Sequence, residues 1–348
     1  MEVRIYDESF NLKKIVENYT SLLWRRRYND VGEFQLTCPA TTENIDALQM
    51  GRVVWFKGKV EAGVIENRTM TQDYNKNELV ASGRFLESYM DRRLIRPTYN
   101  FSGKVEVAMR TILDNAVALP MVELGTLQNF TEEVDFQATY KNLLDYEKKL
   151  AKYANFGFRF RPDFTNKKII FEVYKGLDHS ATQSDRARVI FSEEFANMTS
   201  LTYTDNDQLN KTVCYVGGEG DWEDKIVMVG GDDTLTGLER REVYSDGSDL
   251  TSNGLTIAQY KAALTQRANE VLEGCEEAKS LTCQTMPNGN FVYGVNYDVG
   301  DIVTIEKKSW GVSENQRITE LTEVYEQGLP TIEPTFGTTL PETISWED

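Results

Sequence analysis

The sequence of 348 residues predicts a mainly β fold with α+β insertions. Short apolar runs with a period of two, separated by glycine turns, fill residues 1–95 and recur after about residue 186. The 3.6-residue period of an amphipathic helix is confined to residues 96–185 and to a stretch near 256–273. Many short strands with few helices predict a barrel or a sandwich carrying smaller helical units.

Residues 22–36 show the strand pattern most clearly and are predicted to form an antiparallel hairpin. The first arm places on one face Leu22, Trp24, Arg26 and Tyr28, and on the other Leu23, Arg25 and Arg27. The second arm directs Phe34 and Leu36 inward and Glu33 and Gln35 outward. Arg25 and Arg27 thus share a face with Glu33, which predicts cross-strand or intersubunit ion pairing.

Residues 1–95 are predicted to form a first β-barrel domain, which residues 186–210 would complete. The expected strands, besides the hairpin, are 3–6, 12–16, 51–57, 61–69 and 78–83, with a short helix at 45–50.

Residues 96–185 are predicted to be an inserted α+β domain. Ser102 is suited to cap a helix that Pro120 would end, and a second helix is expected over about 139–154. Residues 157–161 and 168–174 are expected to form a hairpin.

Residues 211–337 are predicted to form a second β-barrel domain with a helical insertion at about 255–275. Thr256 and Gln259 fit a capping box at the start of this helix, and Gly274 is suited to stop it. The polar residues 338–348 are predicted to be a flexible tail.

The two ends of the chain share a faint repeat. Residues 51–56 followed by 63–67 resemble residues 300–305 followed by 316–320, each a glycine-led strand with a return strand. Strand patterns are generic, so duplication and chance similarity both remain open at this point.

Composition and net charge disfavour several classes of function. The longest apolar runs are too short to span a bilayer and no signal peptide is present at the N-terminus, so we expect a soluble protein made in a cytoplasm, with no membrane anchor. The net charge of −17 disfavours specific nucleic-acid binding. The scattered cysteines (Cys38, Cys214, Cys275 and Cys283) are predicted to be buried free thiols.

The sequence contains no convincing catalytic, cofactor or metal site. His179 is the single histidine, and its turn-like context predicts a surface residue. Asp205, Asn206 and Asp207 begin like a calcium loop but are better explained by an Asx turn. Residues 217–220 are predicted to form a flexible hairpin loop. Nothing in the sequence distinguishes any pair of adjacent carboxylates as catalytic; such pairs include Glu132–Glu133, Glu193–Glu194 and Asp232–Asp233. We therefore predict a non-enzyme without cofactors.

Four segments, in this order, resemble a family of phage tail proteins. They are WRRRYNDVGEFQL (24–36) with PAT (39–41), GLDHS (176–180) with VIFSEE (189–194), NKTVCYVGGEG (210–220) with GLERRE (237–242), and YDVGDIV (297–303) with RITE (317–320). The family often has Arg-Thr in place of His179 and Ser180, so no role is assigned to these two.

The resemblance is to the baseplate hub, or tail-associated structural protein, of tailed phages and prophages. It implies a homotrimer with two similar β-barrels per subunit, so that a threefold tip fits a sixfold tail tube and lets DNA or the tape measure pass. It also implies a place in the virion, with distal tail or tail-tube proteins, central spike or tail-fibre proteins and the tape-measure protein as partners. It supplies no catalytic residues.

A second class of function stays open. Abundant aromatic residues and carboxylates also suit a carbohydrate-active or cell-wall glycan-binding protein acting at the host surface.

Overall fold

A computed structural model gives the structure of the chain. It describes residues 2–74, 76–96, 98–116, 119, 121–275, 278–285, 290–326 and 330–337. Pro120 and the expected flexible tail at 338–348 lie outside these residues. No helix in the described ranges is long and apolar enough to cross a membrane. The predicted mainly β class with helical insertions is confirmed, since strands and several sheets dominate these residues.

The N-terminal quarter of the chain forms eight strands. Strands β1 to β8 are Val3–Tyr6, Leu12–Val16, Ser21–Arg27, Glu33–Pro39, Val53–Phe56, Gly63–Val64, Asn67–Gln72 and Asn77–Arg84. One sheet has the order β2-β1-β5-β6, and β3, β4, β8 and β7 are consecutive neighbours in a larger sheet. The expected return strand at 61–69 is divided, because β6 pairs with β5 in the small sheet whereas β7 pairs with β8 in the large one.

The middle of the chain is an α+β unit. Its strands β9 to β13 are Tyr99–Lys104, Val122–Leu124, Glu133–Ala138, Gly157–Asp163 and Lys168–Tyr174. β9 pairs with β11, and the hairpin β12–β13 is extended by β10. A 3₁₀ helix, Leu86–Arg92, precedes the unit.

The remaining strands fall into two groups. Strands β14 to β22 are Ile190–Ser192, Met198–Asn206, Val213–Gly217, Val227–Gly231, Glu242–Asp246, Ala278–Thr285, Ile302–Lys307, Val312–Tyr325 and Thr331–Gly337. β16, β17 and β18 form a sheet of their own. The others join the large sheet, whose order is β15-β19-β22-β21-β3-β4-β8-β7, with β14 and β20 attached beside β21.

The described residues also contain four α-helices: α1 Thr42–Ala47, α2 Val105–Ala116, α3 Leu143–Ala154 and α4 Ile257–Glu273. The predicted capping box of α4 is confirmed, because Thr256 and Gln259 bond reciprocally to each other's backbone N–H groups, and Gly274 is its C-cap. The predicted cap at Ser102 is wrong. Ser102 lies inside β9, opposite Asp135 of β11, and strand pairing therefore outweighs its local capping preference.

Three buried apolar clusters organise these elements. Cluster one joins the N-terminal strands to the α+β unit, so residues 1–95 and 96–173 share one core. Cluster two lies between β14, β15 and β19 to β22. Residues 186–210, expected to complete the first barrel, therefore pair with C-terminal strands instead, through β14–β20 and β15–β19. Cluster three lies between α4 and the β16–β18 sheet.

Candidate functional site

Strands β3 and β21 join the two halves of the large sheet. They pair antiparallel from Arg27 opposite Glu320 to Tyr325 opposite Leu22. β3 buries Trp24 in cluster one, and Tyr28, which directly follows β3, lies in cluster two. β21 buries Leu321 in cluster two but Tyr325 in cluster one. The strand pair thus contributes to both cores, which binds the halves into one unit.

The inner face of this strand pair carries charge where the two cores meet. Arg26 is buried, and its Nε donates to Glu61 Oε1 at 2.9 Å. Its Nη1 donates to the Tyr293 hydroxyl at 2.8 Å and also to the carboxylate of Asp298. Burial alone would lower the pKa of Arg26, but the carboxylates of Glu61 and Asp298 hold it well above its usual value.

Lys59 enters the same junction from the turn between β5 and β6. Its ammonium is ion paired with Glu323, whose side chain is fully buried on β21. It also lies over the rings of Phe56, Tyr293 and Tyr325, at 5.8, 5.1 and 5.8 Å from their centroids. The first half of the chain therefore inserts a cation into an aromatic and acidic site built partly by the second half.

A cavity of about 460 Å³ adjoins these groups. Arg26, Lys59, Glu61, Asp298 and Glu323 line it together with aromatic side chains. Two cations face three carboxylates there, since Arg26 is ion paired with both Glu61 and Asp298, and Lys59 is ion paired with Glu323. Glu61 Oε2 is a buried carboxylate oxygen there that lacks a hydrogen-bond partner within the described residues. The arrangement is suited to holding two segments in register, because breaking one contact leaves a charge buried.

The outer face of the same strands carries a second, wetter charge network. Arg25 Nη1 lies 2.7 Å from Glu33 Oε1, and Arg27 Nη2 lies 3.2 Å from the same oxygen. Arg27 Nε lies 2.8 Å from Glu320. The predicted cross-strand pairing with Glu33 is confirmed, and β21 adds Glu320, which the hairpin alone does not reveal.

The isolated motifs have structural explanations. The Asx turn is confirmed, since Asn206 Oδ1 accepts from the Gln208 N–H at 2.9 Å. The loop at 217–220 connects the antiparallel strands β16 and β17, as predicted for a hairpin. All four cysteines are free, and three of them are buried; burial raises the pKa of Cys38 to about 11. No group of three or more His, Cys, Asp or Glu side chains among the described residues is placed to hold a metal ion.

His179 differs from its predicted surface position. Its side chain is 14% exposed, its Nδ1 lies 2.8 Å from the Ala187 carbonyl, and its Nε2 lies 3.9 Å from Asp301. Asp301 is itself held by the backbone N–H groups of Leu177 and Asp298. The histidine is packed because β14 and β20 fold over its loop, a long-range contact that its neighbours in sequence do not signal.

Sequence reasoning missed the charged junction, although one signal was present. Every second residue along β3 points inward, and Arg26 stands between the inward-pointing residues Trp24 and Tyr28. An arginine that is buried there requires hydrogen-bond acceptors. Those acceptors lie 35 and 272 residues away in sequence. The alternation along β3 therefore indicates that Arg26 is buried, but it cannot identify Glu61 or Asp298 as its partners.

Comparisons with known proteins agree with this fold. The 43 kDa tail protein of prophage MuSo2 from Shewanella oneidensis has a TM-score of 0.60 at 11% identity, covering 97% of this chain and 98% of that one. Prophage tail protein gp18 from Listeria monocytogenes gives 0.57 at 13% identity, with 97% and 95% covered. A tail protein from Neisseria meningitidis gives 0.57 at 15% identity, with 97% and 96% covered. At these identities the likeness concerns the fold.

Family membership rests on the sequence. No curated protein matches the chain. A family model described as Siphovirus ReqiPepy6 Gp37-like protein matches residues 2–338, nearly the whole chain. The expected membership in a phage tail-associated family is thus confirmed, and the chain belongs to the family of Siphovirus ReqiPepy6 Gp37-like proteins.

Proposed function

We propose that this protein is a structural hub at the distal end of a phage-type tail, where three copies form a ring. The observation that carries the proposal is the shared strand pair: β21 buries side chains in both cores, and so does β3 together with Tyr28, which directly follows it. Two halves fixed in this way act as one rigid unit, so a trimer presents six similar elements to a sixfold tail tube. In this proposal the two halves are the two β-barrels of each subunit.

The repeat at the two ends of the chain supports two similar halves. Gly51 and Gly300 lead β5 and β20, and both have a left-handed backbone, with φ of 80° and 95°. A glycine is favoured at such a position because a side chain there would be strained. The two strands thus begin with the same turn conformation.

The ring would adapt the tube to a threefold tip and let DNA or the tape-measure protein pass. Its partners would be distal tail or tail-tube proteins on one side and central spike or tail-fibre proteins on the other. The net charge of −17 suits a channel that repels DNA and does not bind it. Charge-reversing variants that leave particle assembly and DNA delivery unchanged would argue against the acidic channel alone.

Electron microscopy of intact particles tests the role. Particles carrying a tagged copy of the chain should show the tag at the tail tip with threefold symmetry, and particles assembled without the protein should lack a finished tip. A tag found along the tail shaft, or a protein absent from purified particles, would overturn the proposal. In the latter case, binding of the isolated protein to purified cell-wall glycans would support the glycan-binding alternative.

A further inference from the structure

A second cavity, which shares no lining residue with the cavity at the charged junction, lies between the N-terminal sheet and the α+β unit. Its volume is about 270 Å³, and its apolar lining consists of Phe10, Tyr89, Leu119, Met121 and Ile169. The Glu8 carboxylate and Gly51 also line it. Phe10 and Met121 both have a left-handed backbone, with φ of 58° and 67°, which bulky residues rarely adopt. Two strained turns therefore contribute to this apolar pocket.

Two exposed arginines line the rim of the apolar pocket. The Arg92 guanidinium lies 4.7 Å from the centroid of the Tyr89 ring, and Arg93 Nη1 donates to the Arg92 carbonyl at 3.1 Å. Neither forms an ion pair with a carboxylate of the described residues. By contrast, Arg84 is ion paired with both Glu66 and Asp91. Arg92 and Arg93 thus leave charged donors available beside the apolar pocket.

The size of the apolar pocket limits its occupant. At about 270 Å³ it lies below the roughly 300 to 1,000 Å³ typical of pockets for small molecules. It is suited to one aliphatic side chain, and the arginines at the rim favour a carboxylate next to that side chain.

The chain itself presents such a pair on an ordered loop. Leu238 is 97% exposed in the 3₁₀ turn Gly237–Glu239, and no ion pair within the described residues involves Glu239. The turn is held by Arg240, which donates to the carbonyls of Asp233 and Leu235 at 3.0 and 3.1 Å. Arg240 also donates to the Tyr215 hydroxyl at 2.6 Å. A pre-ordered loop loses little conformational freedom on binding.

We propose that Leu238 of one copy inserts into the apolar pocket of a second copy, where Glu239 pairs with Arg92 and Arg93. The pocket has room for the leucine, and its two arginines outnumber the single carboxylate of Glu8, so the lining still favours an incoming carboxylate. The loop and the apolar pocket are different surfaces of the chain, so each copy can give its loop to one neighbour and receive the loop of another. A head-to-tail contact of this kind is heterologous, and it generates a closed ring when its rotation permits. The inference rests on the proposed ring and names the contact that would hold it.

Photo-crosslinking tests the contact directly. A photoreactive amino acid replaces Leu238 in the full-length chain, and ¹⁴N- and ¹⁵N-labelled copies are mixed before irradiation. Mass spectrometry then separates crosslinks between copies from those within one copy. We expect crosslinks between copies that reach the segments around Phe10, Met121 or Ile169.

Charge exchange supplies the matched control. The double substitution Arg92→Glu and Arg93→Glu should weaken self-association about tenfold or more, and adding Glu239→Arg should restore it. Arg96→Glu, which reverses an exposed arginine outside the pocket lining, should change nothing. Circular dichroism checks that each variant is folded.

The outcomes separate this contact from the hub role. A trimer whose crosslinks from position 238 reach other segments would overturn this contact and leave the proposed hub role standing. A trimer that charge reversal at Arg92 and Arg93 does not weaken would do the same. Crosslinks to the apolar pocket in a dimer or an open chain of copies would support the contact and contradict the trimeric ring. A chain that stays monomeric at all concentrations, without crosslinks between copies, would overturn the contact.

Discussion

Neighbouring arginines on β3 lie in opposite environments. The side chain of Arg26 is 5% exposed and that of Arg25 is 31% exposed, although both are ion paired with glutamates. The pairs on the outer face are screened by water, and pairs of this kind contribute about 0 to 1 kcal/mol to stability. The Arg26–Glu61 pair on the inner face is desolvated, with side chains 5% and 6% exposed, so the loss of one partner leaves a buried charge. One strand thus carries a water-screened arginine on its outer face and, on its inner face, a buried arginine that holds two cores in register.

Of the substitutions that test the difference between the two faces, replacement of Arg26 should lower the stability of the fold the most. Arg26→Met leaves Glu61 buried without its cation, and we expect a loss of about 3 to 5 kcal/mol in the free energy of unfolding. Denaturant unfolding followed by fluorescence measures it. The double variant Arg26→Met with Glu61→Leu removes the orphaned charge and should be more stable than the single variant. Equal stability of the two would show that the pair is not desolvated.

Glu87 extends the comparison to a buried group without a charged partner, because it is a buried carboxyl with no ion pair within the described residues. Burial raises its pKa to about 8, although its Oε1 accepts from the Phe160 N–H at 2.7 Å. The folded chain therefore holds a proton that the unfolded chain releases near pH 4.5.

The stability that this proton provides is complete below the unfolded pKa and is lost as the pH rises through about 8. Glu87→Gln removes the dependence. The difference between the two pKa values corresponds to about 5 kcal/mol, which the variant should gain relative to the parent between about pH 4 and about pH 9. Unfolding curves across this range measure the gain, and parallel pH profiles of the two proteins would contradict the assignment.

A substitution at Gly300 tests the packing around Tyr28, the next residue on the inner face. A Cβ at Gly300 would lie 2.5 Å from the Tyr28 ring, whereas one at Gly51 would meet only the flexible Glu8 carboxylate. Both glycines have positive φ, so the backbone cost is matched. We expect Gly300→Ala to cost about 2 to 3 kcal/mol and Gly51→Ala about 1 to 2 kcal/mol in thermal or denaturant unfolding. A larger loss for Gly51→Ala would contradict the packing around Tyr28.

The smallest effect is expected on the outer face. Arg25→Met removes pairs that water screens, and it should change the free energy of unfolding by less than about 1 kcal/mol. The change should shrink further in high salt, which the Arg26→Met effect should resist. A loss at Arg25 as large as that at Arg26 would remove the distinction between the faces.

The sequence predicts the local parts of this structure well. Period-two alternation places Arg26 inward and Arg25 outward, and the capping box fixes the start of α4. Glu61, Asp298 and Glu320 could not be assigned, because their approach to β3 depends on strand pairing across most of the chain. Ser102 was assigned to a helix cap for a related reason: its partner strand, β11, is not adjacent in sequence.

The mass of the protein in solution tests the proposed trimeric hub. Light scattering of the purified protein across a concentration series should approach three times 39.8 kDa as the concentration rises. A mass that remains at 39.8 kDa at every concentration, or that settles at twice this value, would contradict a ring that the chain assembles by itself.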